Sequence, residues 1–190
     1  DKNEIQQEKK NNLLQKLQIG HQQDKNANFV INSKNDSNLI DVSINQKPPF
    51  SWSNQIHFHQ FPIEPSTSYT FEFEAKASPK NGEKNELFAT LSFQESKEPY
   101  YNFSVENPKV KLTNEYQKYS VVLRSTRSIE TKDRTSSIIF KFILSPHIGD
   151  YSFKNIVAYS EEELFQLDPL KEKYENYKAP IPNLSQFPPQ

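Results

Sequence analysis

Residues 69–76 read YTFEFEAK, and the eight side chains sort into two sets. Tyr69, Phe71, Phe73 and Ala75 point one way; Thr70, Glu72, Glu74 and Lys76 point the other. Successive side chains take opposite faces only in extended backbone. A strand with one apolar and one charged face belongs to an antiparallel sheet that packs on one side and meets water on the other. The same period of two recurs from residue 27 to residue 160. NFVIN, NLIDVSIN, IHFHQF, YTFEFEAKA, LFATLSFQ, YYNFSV, a run inside KVKLTNEYQKYSVVLRS, TSSIIFKFILS and DYSFKNIVAYS read as roughly nine strands. Turn chemistry such as SKNDS and SPKNGEKN separates them. No helical period interrupts this middle region. Many short one-sided strands have one economical solution, two antiparallel sheets packed face to face. The expected fold is all-β, a β-sandwich of two antiparallel sheets spanning residues 27–160.

The flanks have a different character. Residues 1–26 are polar, with Leu13, Leu14 and Leu17 on one helical face and Gly20 as a stop. They read as a short N-terminal helical segment. Residues 161–190 are charged and then Pro-rich. Asp168 before Pro169 gives an N-cap and first-turn pair, so a short helix to about Tyr177 is expected, followed by an extended tail. Both segments are docking elements if the chain works within a protein assembly. With no Met in the chain, Asp1 reads as the start of a mature or trimmed form.

Composition removes several functions. Hydrophobic residues make up 34% of the chain, below the usual 45–50% or so, while aromatics reach 13%. A small, aromatic-heavy core follows. The formal net charge of -1, with basic residues dispersed, gives no electrostatic case for nucleic acid. No apolar run approaches the ~20 residues of a membrane-spanning helix. The absence of Cys removes disulfides and thiolate chemistry. Gly20, Gly82 and Gly149 are the only glycines, which leaves no phosphate-cradling loop.

Chemistry is sparse. Glu72 and Glu74 share a strand face about 7 Å apart, a spacing compatible with paired-carboxylate hydrolysis but also with a plain wet face. No G-x-S-x-G elbow is present. His57 and His59 at i, i+2 could hold zinc or copper, yet no third ligand is near in sequence. No catalytic residue, metal or cofactor is therefore assigned. Trp52 is either core or an aromatic platform. Sugars present apolar C–H faces to aromatic rings and hydroxyls to amide, His and carboxylate groups. Trp52, Gln55, His57 and one of Tyr100 or Tyr101 could supply such a surface. In a strand only one of the two tyrosines can face a groove, and the other is core.

The order of these segments resembles that of carbohydrate-binding modules of the family four and nine type. SWSNQIHFHQFPIEPSTSYTFEFEAKA carries the Trp, the Gln-containing strand, the turn and the Tyr-led strand ending in Ala-Lys-Ala. VKLTNEYQKYSVVL and SSIIFKFILSPHIGDYSFKNIVAYS resemble the later landmarks. The resemblance implies a jelly roll, related to galactose-binding-like domains, whose groove or loop edge holds a glycan chain outside the cell or at its surface. It matches Trp52 and Gln55 to the family's Trp and Gln, and places Tyr100 or Tyr101 where groove aromatics occur. His57 lies one step along the same face as Gln55. Lys154 stands where the family has an Asp that supports a structural calcium, which argues against that ion. Some domains of this fold serve in surface or appendage assemblies and bind no sugar, which is the alternative.

Overall fold

The computed structural model describes residues 11–34, 37–131 and 138–160. The expected C-terminal helix lies outside them. Ten strands follow in chain order: β1 (Ile19–Gln22), β2 (Ala27–Lys34), β3 (Ser37–Ile44), β4 (Gln55–Phe58), β5 (Ser68–Pro79), β6 (Phe88–Glu95), β7 (Lys109–Lys111), β8 (Gln117–Arg124), β9 (Ile138–Leu144) and β10 (Gly149–Ser160). They form two five-stranded antiparallel sheets, ordered β1-β4-β9-β6-β7 and β2-β3-β10-β5-β8. The fold is the expected all-β sandwich.

Three local expectations fail. Leu13, Leu14 and Leu17 belong to a turn that leads into β1, not to a helix. Leu14 and Leu17 do reach the core, but from a short turn that their spacing mimics. YYNFSV is not a strand; only the isolated bridges Gln94↔Asn102 and Ser104↔Ser125 form there. β4 is shorter than the alternation suggested, and Trp52 and His59 lie in the turns on either side of it.

The alternation of β5 is realised except at Thr70, which was expected on the wet face and is buried. Phe71, Phe73 and Ala75 are buried, while Glu72 is exposed. Glu72 and Glu74 face outward on the second sheet, bonded to the Tyr159 hydroxyl and the Asn155 amide respectively. The largest fully buried side chains of the core are mostly aromatic. Phe140 is fully buried, stacked on Phe71 at 3.9 Å, tilted against Phe58 and Phe61, and edge-on to Phe93 and Phe142. Phe140→Ala should cost about 4 kcal/mol, because five ring neighbours cannot all collapse into the void. For a chain of this size that lowers the melting temperature by roughly 8–16 °C, which calorimetry checks.

β10 carries a bulge between Lys154 and Val157, with Asn155 at φ 54°. One extra residue lets Tyr151, Phe153, Ile156 and Ala158 all face the core. Pairing with β3 ends at Lys154. Beyond the bulge the N-terminal segment takes β3's place: Leu13 N–H donates to the Ala158 carbonyl at 2.7 Å, and Ala158 N–H donates to Asn12 Oδ1 at 3.0 Å. Lys154, at the position where an acid was missed, lays its ammonium over the Tyr116 ring at 4.0 Å.

Candidate functional site

Strand alternation makes the outer face of the β1-β4-β9-β6-β7 sheet. Ile56, Phe58, Phe140, Phe142, Leu91 and Phe93 point into the core. Their neighbours point out and line up in rows fixed by the pairing register. One row runs Gln22, Gln55, Ile143, Thr90. The next runs Gly20, His57, Lys141, Ser92, and the third includes Ile139 and Gln94. This face forms the floor of a groove of about 870 Å³, within the range of ~300–1,000 Å³ usual for ligand sites.

Two loops raise its walls. The loop before β4 holds Trp52, half exposed and stacked on Phe50 at 4.6 Å with the rings almost parallel. Its backbone is tied down at several points. The Phe50 N–H donates to Ser53 Oγ at 3.1 Å. Asn54 accepts the Asp24 N–H on its side chain and the Leu144 N–H on its carbonyl. On the far side, the loop after β6 presents Tyr100. That residue sits at φ 57°, a left-handed conformation that costs about 1 kcal/mol or more in a non-glycine residue. The Gln94 side chain holds its carbonyl at 2.8 Å. Trp52 rises beside the Gln55 row on the β4 side, and Tyr100 beside the Gln94 row on the β6 side. The two loops are thus tied to the floor at different rows, one at Gln55 and the other at Gln94.

Four of the five expected residues, Trp52, Gln55, His57 and Tyr100, line this one groove. Tyr101 does not. It is half exposed rather than core, because the left-handed turn at Tyr100 ends the strand alternation on which the pairing argument relied. Phe103 is the aromatic that fills the core there. His59 lies beyond the groove against Gly20, where a Cβ would come within 2.5 Å of its Nε2. Among the described residues no group of three or more His, Asp or Glu side chains could hold a metal ion.

Gln55 is the hub of the floor. Its Nε2 donates to the Trp52 carbonyl at 2.7 Å, so its Oε1 is the acceptor. That oxygen accepts from Lys141 Nζ at 3.0 Å and from His57 Nε2 at 2.7 Å. His57 therefore carries its proton on Nε2 and keeps Nδ1 as an acceptor. Burial first, then the nearby Lys141 charge, lowers the His57 pKa to about 4. Lys141 is only 5% exposed, and burial lowers its pKa to about 8.

The His57 shift sets a pH dependence. Between its unfolded value of 6.5 and its folded value of about 4, the unfolded chain binds the proton and the folded chain does not. Stability therefore falls as pH drops through that window, by up to about 3 kcal/mol. Urea unfolding at pH 7 and pH 4.5 should show a smaller drop for His57→Gln than for the parent. An equal drop would mean that His57 titrates normally.

Sequence reasoning missed Lys141, Ser92, Gln94, Asn102 and Phe50. Lys141 had a readable signal: in IIFKFIL it is the one polar residue in a run that is apolar on both faces. Ser92 and Gln94 alternate ordinarily along β6 and had none.

Sequence comparison finds neither a matching protein family nor a matching curated protein. Structure comparison does find neighbours. A family 4 carbohydrate-binding module (CBM4) superposes with a TM-score of 0.54 at 13% identity, covering 75% of this chain and 86% of that one. A protein from Bacteroides thetaiotaomicron described as sugar-binding gives 0.52 at 10% identity, covering 75% and 87%. The N-terminal cellulose-binding domain of Cellulomonas fimi β-1,4-glucanase C gives 0.46 at 14%, covering 65% and 78%. At such identities the likeness is one of architecture: this chain has the β-sandwich fold found in carbohydrate-binding modules.

Proposed function

We propose that the chain is a non-catalytic carbohydrate-binding module and that the groove over β4, β9 and β6 holds a stretch of polysaccharide. The observation that carries this reading is the pairing of two exposed rings, Trp52 and Tyr100, with a polar floor between them. Apolar sugar faces lie on the rings, while hydroxyls bond to His57 Nδ1, Ser92, Thr90, Gln94 and Asn102. Gln55 acts by position: its oxygen already accepts two bonds, so it fixes Trp52, His57 and Lys141 rather than serving as a free contact. The fold shared with sugar-binding proteins supports the reading. On this reading the protein works outside the cell or on its surface.

Affinity should lie on the order of micromolar to millimolar, since a wet groove exchanges water hydrogen bonds for sugar ones. Trp52 is the only tryptophan, so intrinsic fluorescence reports on the groove directly. A glycan array followed by fluorescence titration should give a saturable change with one class of polysaccharide. A folded protein that binds no glycan would instead favour an interaction domain of the same fold.

A further inference from the structure

We infer that the groove selects an acidic glycan, one whose sugar units carry carboxylates, and that the Lys141 ammonium receives one of those carboxylates. This deepens the proposed function and rests on it.

The first observation is the lysine itself. Lys141 sits at mid-strand on β9, flanked by Phe140 and Phe142, which fill the core behind it. It is almost wholly buried, yet it lines the groove floor. An ammonium has three donors. One goes to the neutral Gln55 oxygen at 3.0 Å. Among the described residues no carboxylate lies within 4 Å of it. Burying a cation without a counterion is costly. Apolar residues occupy the flanking floor positions, Ile139 and Ile143, so packing alone does not require a lysine there. An anion arriving in the groove would supply the missing charge at a point already stripped of water.

The second observation is the charge around the groove. Lys109 lays its ammonium over the Phe88 ring at 3.6 Å, and Phe88 lines one end. At the other end Ile139 and Ser96 are shared with a smaller cavity of about 320 Å³ that Lys16 and His59 line. Lys141 lines the groove itself, Lys109 touches one of its rings and Lys16 lines the adjoining cavity, on a chain whose net charge is -1. Nearby acids are partly occupied: Glu86 pairs with Lys111, and Glu83 accepts from Asn85 and lies by His147.

Glu95 is the acid that lines the groove. It stands at the end of β6 and pairs with the inward-facing Ile138, so it lies on the opposite alternation from Lys141. Its Oε2 is buried and, among the described residues, has no hydrogen-bond partner. A uronic acid unit presents a carboxylate for Lys141 and hydroxyls for Ser92 and Gln94, which share its face of the sheet.

The test compares polymers that differ only in charge. Native protein is titrated with polygalacturonate and alginate, and with their carboxyl-reduced counterparts, at about 0.1 M salt to screen diffuse attraction. The acid forms should bind at least tenfold tighter. In Lys141→Met that preference should vanish, so that acid and reduced polymers bind alike. The preference should also fade as pH rises through about 8 in the native protein. The other titratable groups near Lys141 are His57 and His59 at β4, His21 on β1, and Glu95 and Tyr100 from β6 and its following loop. The pH effect must therefore be absent in Lys141→Met. Equal binding of acid and reduced forms would overturn the inference and leave the carbohydrate reading standing. Dextran sulfate binding as tightly as the uronates would overturn it as well, showing unselective polyanion attraction. Binding of no glycan at all would remove both readings together.

Discussion

Trp52→Ala should weaken glycan binding by at least about 30-fold, the effect of losing a central aromatic contact worth roughly 2 kcal/mol. Its melting temperature should fall by no more than about 3 °C, because the lost contact is one exposed stack on Phe50. The loop's anchors are spared: the Gln55 amide bonds the Trp52 carbonyl, and the Phe50 N–H bonds Ser53. Isothermal titration with any polymer found to bind, beside a thermal melt, separates the two effects. A large loss of stability with proportionate loss of binding would show that the ring supports the fold instead.

Gln55→Leu should destabilise the protein by about 3 kcal/mol. The change strips the only described acceptor from a buried ammonium, unpairs His57 Nε2, and leaves the Trp52 carbonyl only its long bond from Gln22. Lys141→Met alone should be close to neutral, since its stem is already packed and the charge it removes was uncompensated. The double variant should then recover about 1–3 kcal/mol relative to the sum of the singles. Urea unfolding of all four proteins measures the coupling; additivity within about 0.5 kcal/mol would mean that the hydrogen bond does not hold in solution. A second readout is independent of the cycle. Between a folded pKa of about 8 and an unfolded value of 10.5, the unfolded chain holds the Lys141 proton longer. Parent stability should therefore rise with pH across that window, and Lys141→Met should lose the rise.

The sandwich was legible because period-two alternation is a direct imprint of a one-sided sheet. β5 shows it best, with Phe71, Phe73 and Ala75 inward along its length. Where sequence reading erred, a short segment fitted two periods at once. Leu13, Leu14 and Leu17 suit a helix face, yet three residues of a turn bury the same side chains once β1 enters the sheet. YYNFSV has strand composition, but the left-handed Tyr100 and the single bridges at Asn102 and Ser104 keep it out of a ladder. For the site, local pattern located Trp52, Gln55 and His57 because one loop and one strand carry all three. Lys141 and Ser92 are 86 and 37 positions from Gln55 in the numbering. They reach the same floor only through the β4-β9-β6 order, which no local window contains. The role of Gln55 was equally hidden: its type suggests a contact residue, and its three partners show a brace.

The bulge in β10 fixes where the polypeptide enters and leaves the sandwich. By ending the β3 pairing at Lys154, it admits Asn12 and Leu13 beside Ala158, so the polypeptide enters and leaves the sandwich a hydrogen bond apart. A domain with adjacent entry and exit can be spliced into a loop of a host protein as a cassette. The host's two strands of linker then begin almost together, and the entropy of closing the interrupted loop barely changes.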